Sequence, residues 1–136
     1  MSTESVSSVD YRRLLEFRTG LRRFLKWSAD RARESGLTPA QHQLLLTVKG
    51  HHGALGPTIS DVADYLQLRH HSAVELIDRS AEAGLVRRTA DSQDARIVRL
   101  VLTQDGETRL EGLSTQHLHE LERLAVHTAL LWVGLD

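Results

Sequence analysis

Apolar residues recur at helical spacing through most of the chain and at strand spacing only in one short stretch. From Val9 onward, Leu14, Phe17, Leu21, Phe24, Leu25 and the small Ser28 return every three or four positions, the period of one helix face. Gly36 suits the position just past a helix end, so a first helix is expected over 9–36. "TPAQ" at 38–41 is a second start: Thr38 suits the N-cap, Pro39 the first helical position, and Gln41 can complete a capping box. That helix runs through Leu44, Leu45 and Val48 to Gly50, and "HHGALGP" reads as a connector. Thr58 and Asp61 repeat the start logic for a third helix through Val62, Ala63 and Leu66. A fourth is expected over 70–83, ending at Gly84.

The period then changes. "LVRRTA" and "RIVRLVLT" read as two strands joined by the polar loop "DSQDA". Thr103 can cap a last helix with Asp105 in its positive first turn, and Leu110, Leu113, Leu118, Leu121, Leu124 and Leu131 carry it almost to the C-terminus. The order α-α-α-α-β-β-α predicts a mainly α (α+β) chain, a single domain over 1–136. Long helices at 9–36 and 104–133 flank a helix-turn-helix with a hairpin wing at 38–103. Its crossing positions would be Val62, Ala63, Leu66, Leu68, Ala73 and Leu76, with Leu68 plugging the turn and Gln67 standing where glycine is usual.

Four stretches, "LTPAQHQLLL", "TISDVADYLQL", "SAVELIDRSAEAGLVRR" and "DARIVRLVLTQDG", resemble the MarR family of winged helix-turn-helix transcriptional regulators over nearly the whole chain. Asp94-x-Arg96 followed by Leu100-x-Leu102-Thr103 is the most specific, being similar to that family's wing signature. The resemblance implies a homodimer built from the first and last helices, a recognition helix in each major groove and a wing arginine in the minor groove. Three features depart from the family. Arg69 stands where a capping Ser is frequent, Glu75 where a polar or basic reader is common, and the last helix ends early.

The residues carry their own chemistry for that role. Arg69, His70, His71 and Ser72 would open the fourth helix, the part that reaches base edges, and Glu75 can accept from cytosine. Alternatively, Ser72 and Glu75 form a capping box that starts the helix later and leaves both histidines in the turn. Arg96 on a thin hairpin tip suits a narrow minor groove, with Asp94 holding its guanidinium. Arg87, Arg88 and Arg99 read as phosphate contacts, and Asp78 and Arg79 as structural ion pairs.

Charge neither demands nor forbids this reading. Net charge is −1, but residues 1–35 carry eight Lys/Arg against five acids, whereas 103–136 carry two against six. The absence of cysteine removes disulfides and thiol sensing. A polar, acidic N-terminus and the lack of a long apolar run point to the cytoplasm and no membrane partner. The expected partners are a double-stranded DNA operator and a second copy, whose interface would use Leu110, Leu113, Leu118, Leu121 and Leu124 with Phe17, Leu21 and Phe24.

Other chemistries are thinner. "HLHELERLAVH" misses a zinc pair because position 123 is Arg, although His117, Glu120 and His42 from another helix could meet as a metal-responsive site. No nucleophile elbow, phosphate loop or dinucleotide fingerprint is present, so neither an enzyme nor a cofactor is expected. A helical protein–protein interaction module without DNA binding is the competing class. Finally, the resemblance implies an effector pocket among the first, second and last helices. Arg18, Arg22, Trp27 and His42 are its candidates, suited to a small aromatic or other organic acid.

Overall fold

A computed structural model describes residues 5–131, and the expected element order is the observed one. Five helices, α1 (Ser8–Glu34), α2 (Pro39–Gly50), α3 (Ile59–Leu66), α4 (His70–Glu82) and α5 (Gln104–Leu131), accompany strands β1 (Val86–Ala90) and β2 (Val98–Leu102). The last positions of the expected 104–133 helix lie outside the described residues. None of the described helices is long and apolar enough to cross a membrane.

Helix starts obey local hydrogen bonding. Thr38 and Thr58 each accept from the N–H three residues on, and Gln41 and Asp61 return the bond to the cap N–H. Ser7 and Asp10 do the same at the head of α1. At the α3–α4 turn Gln67 adopts φ 55°, a left-handed conformation costing a non-glycine residue about 1–2 kcal/mol. Its side-chain amide donates to the Asp64 carbonyl at 2.8 Å, which offsets part of that cost. Leu68 does not plug this turn: it is 36% exposed, at the rim of a groove between α2 and α4. Val62 and Ala73 fill the crossing instead, both fully buried.

The wing is an antiparallel hairpin in the register Val86↔Leu102 to Ala90↔Val98. The connector before α3 adds to it, because Thr58 bridges Arg99 and the Leu100 N–H donates to the Pro57 carbonyl at 3.0 Å. Gly56 makes that approach possible: a Cβ there would sit 2.0 Å from the Leu100 oxygen.

α2 is the centre of the lobe, touching α1, α3, α4, α5 and β2. Around it lie Val62, Ile77, Leu85, Val86, Leu100 and Leu113, each worth about 1.5–3 kcal/mol when buried. Leu110 and Leu113 therefore belong to this core, not to an outer face as the sequence suggested. Beyond it the apolar stripe is open, with Leu14, Leu21, Leu25, Leu118, Leu121 and Val126 all exposed.

α5 meets the wing backbone to backbone. Thr103 Oγ1 accepts from the Gly106 N–H at 3.0 Å and donates to the Gly84 carbonyl at 2.6 Å. A Cβ on Gly106 would fall 2.2 Å from the Leu85 oxygen, while one on Gly112 would meet nothing within 4 Å. Gly106→Ala should therefore destabilise by about 1–3 kcal/mol through overpacking. Gly112→Ala, in the same helix, should stabilise by about 1 kcal/mol through helix propensity. Urea unfolding of both variants checks the pair; equal effects would refute the packing account.

Candidate functional site

α4 begins at His70, so the later start at Ser72 does not occur. Arg69 occupies its N-cap and makes no side-chain cap hydrogen bond. Arg69, His70, His71 and Glu75 are exposed, and Ser72 is half-buried. Ser72, Glu75 and Arg79 share with Thr38 and Gln41 a groove of about 370 Å³ between α2 and α4. Arg79 enters none of the ion pairs found among the described residues; Asp78 does, with Arg88 of β1.

The wing carries two further aspartate–arginine pairs, built differently. Arg96 donates through Nε and Nη2 to the two oxygens of Asp94, both at 3.0 Å, yet its side chain remains 90% exposed. Hydrogen bonds from the Arg96 side chain and then its backbone N–H hold the Asp94 carboxyl below its usual range, so the clamp is charged at neutral pH. Arg99 is spent internally: Nε donates to Asp91 at 2.6 Å and Nη1 to the Gly56 carbonyl at 2.9 Å. Its side chain is 23% exposed and that of Asp91 only 7%, so this pair ties the wing to the connector before α3. Arg87 is exposed and appears in none of the ion pairs found among the described residues.

A second constellation lies where α1, α2 and α5 meet. The His42 and His117 rings are 4.7 Å apart, and Trp27 lies 4.8 Å from His117. The Leu113 carbonyl can only accept, so His117 Nδ1 donates to it at 2.8 Å. His117 Nε2 lies 2.7 Å from Ser28 Oγ, and in the neutral tautomer it accepts from that hydroxyl. Both ring nitrogens of His117 are thus committed. The metal set considered from sequence does not assemble: no group of three or more His, Cys, Asp or Glu residues suited to a metal is found among the described residues.

Two grooves flank this cluster. One, of about 330 Å³, lies beside Trp27 and Phe24 and receives Arg23, Glu120, Arg123 and His127. The other, of about 360 Å³, is lined by Leu25, Leu46, Leu118 and Leu121 together with Ser28, His42 and His117. Arg18 and Arg22 are exposed on α1 and line neither, whereas Trp27 and His42 line one each. Arg23 and Arg123 were missed, although Arg23 lies four residues before Trp27 and so on its helix face.

His42 is 3% exposed, and its Nδ1 has no hydrogen-bond partner among the described residues. Burial, and then the charge of neighbouring His117, push its pKa down. The unfolded chain takes up a proton as pH falls through about 6.5, while folded His42 stays neutral until a lower pH. Stability should accordingly decline below about pH 6.5, and His42→Gln should flatten part of that decline. Urea unfolding of both proteins across this range tests it; an unaltered pH dependence would remove His42 from the account.

Residues 35–97 match the model of the MarR family. The HTH-type transcriptional repressor MdtR of Bacillus subtilis (strain 168) is 31% identical over 78 residues, 57% of this chain and 48% of that protein. The match therefore spans about half the length of this curated relative. The S. aureus MepR–DNA complex superimposes with a TM-score of 0.68 at 22% identity, covering 91% of this chain and 85% of that one. CouR from Rhodococcus jostii RHA1, bound to p-coumaroyl-CoA, gives 0.71 at 24% identity, covering 88% and 81%. At such identities the superpositions speak for the fold, and the family match covers α2, α3, α4, β1 and the loop that leads to β2. Over residues 35–97 the chain is similar to the MarR family, and it shares the fold of these solved structures.

Proposed function

We propose that this protein is a cytoplasmic, homodimeric repressor that binds a pseudo-palindromic duplex operator. The observation that carries the reading is the pairing of two exposed cationic elements on one lobe. One is the first turn of α4, with Arg69, His70 and His71; the other is the wing tip, with Arg96 held open by Asp94. The first would reach bases in a major groove, with Ser72 and Glu75 behind it, and the second would enter a minor groove. Arg87 and Arg88 would meet phosphates, which position the protein without reading sequence. Arg99 braces the wing with two of its five donors and could turn the others to phosphate.

Exposed Leu14, Leu21, Leu118 and Leu121 on the long helices supply the apolar face for the second copy. Two lobes so joined would address half-sites about 34 Å apart, one helical turn. An effector fits the same scheme as a small aromatic or other organic acid seated by Trp27. The cations facing that groove are Arg23 and Arg123 in place of Arg18 and Arg22. It would release DNA by favouring a dimer with the wrong half-site spacing.

In vitro selection of bound duplexes, followed by titration of the selected operator, tests the reading. Arg96→Ala should lose about ten- to a hundredfold in operator affinity while keeping its fold. A folded, dimeric variant that binds as tightly as the parent would sink the wing assignment.

A further inference from the structure

Resting on the DNA-binding reading above, we propose that Asp78 limits sequence-independent binding: it is a built-in countercharge to Arg88, and so a determinant of discrimination. The pair joins the two DNA-facing elements, since Asp78 projects from α4 and Arg88 from β1, ten residues on. Both side chains remain partly exposed. Among the described residues only Nη2 of Arg88 is engaged, which leaves its other donors available to a phosphate.

This arrangement differs from the other two pairs. Asp94 grips Arg96 with both oxygens at the hairpin tip and orients it, whereas Asp91 buries Arg99 as a brace. Neither removal would leave an intact lobe with one extra free charge on its α4–wing seam. Asp78 is the carboxylate whose loss would do that.

The consequence follows from how field depends on distance. An isolated guanidinium attracts phosphates across roughly a Debye length, about 8–10 Å in ordinary salt. A guanidinium beside a carboxylate presents a dipole, whose pull fades much faster. Non-specific complexes are loosely fitted and depend almost wholly on such attraction, so they lose most from the pairing. In a specific complex, base contacts hold the lobe close enough for the remaining donors of Arg88 to touch a phosphate directly. That contact survives the pairing. With a net charge of −1 the chain has little other positive excess to draw it to random DNA.

Asp78→Asn tests the idea, because the amide keeps an acceptor for Arg88 and removes only the charge. Affinity for a random duplex and for the selected operator is measured at about 50 and 200 mM salt. The variant should bind random duplex about five- to tenfold tighter at the lower salt, and one added phosphate contact predicts that this advantage shrinks about 3.5-fold at the higher. Its gain on the operator should be smaller, so discrimination falls. Glu82→Gln, on the same helix but outside the ion pairs found among the described residues, is the matched control for net charge. Random-duplex binding equal to the parent's, or weaker, in a variant that still binds the operator would overturn the proposal alone. So would an equal gain from Glu82→Gln. If the parent protein binds no duplex, the proposal falls together with the reading on which it rests.

Discussion

His42, Leu44, Leu45 and Thr47 of α2 are all buried, an arc wider than a single packing face covers. Successive side chains on a helix point about 100° apart, so α2 must be enclosed on more than one side. That enclosure orders the rest of the lobe. α1, α3, α4, α5 and β2 all pack against α2. α4 and the wing are held in fixed relation because both rest against this one helix. Leu110 and Leu113 bring α5 into the same core, so the long helices are extensions of the lobe and not appendages to it.

Charge is arranged around this core with similar economy. Each aspartate–arginine pair does a different job according to burial. Asp91 and Arg99 are nearly enclosed and fasten the wing to the connector through Gly56, whose missing Cβ lets the backbones touch. Asp94 leaves Arg96 exposed and preorganised. Exposed ion pairs contribute little stability, typically less than about 1 kcal/mol, so the purpose of the outer pairs is better sought in orientation and field than in folding.

Much of this was legible in the chain because helix caps are local. Thr38 with Gln41, Thr58 with Asp61, and Thr103 before Gly106 act over three residues, and each start fell where the cap chemistry put it. The Asp94–Arg96 clamp was readable for the same reason, its partners being two apart. What escaped depends on the packing of distant segments. Leu68 looked like a turn plug, but a left-handed Gln67 carries it to a groove rim. The Thr58–Arg99 bridge joins positions far apart in sequence, and nothing in "HHGALGP" announces it. Arg18 and Arg22 lie on a helix face whose neighbours only the fold decides.

The lobe is fastened to α5 at two levels, and their chemistry differs. At the first level, Gly106 lies against the Leu85 carbonyl and Thr103 bonds to both sides of the seam, a contact of backbone groups that tolerates little movement. At the second, His117 links α5 to α1 through Ser28 and lies tilted against His42 of α2, with grooves on either side. Close-packed backbone resists displacement, whereas imidazoles beside open space can rearrange at modest cost. The wing leaves the backbone seam through Leu85 and Thr103, so the contact that anchors α5 also sets where the hairpin starts and ends.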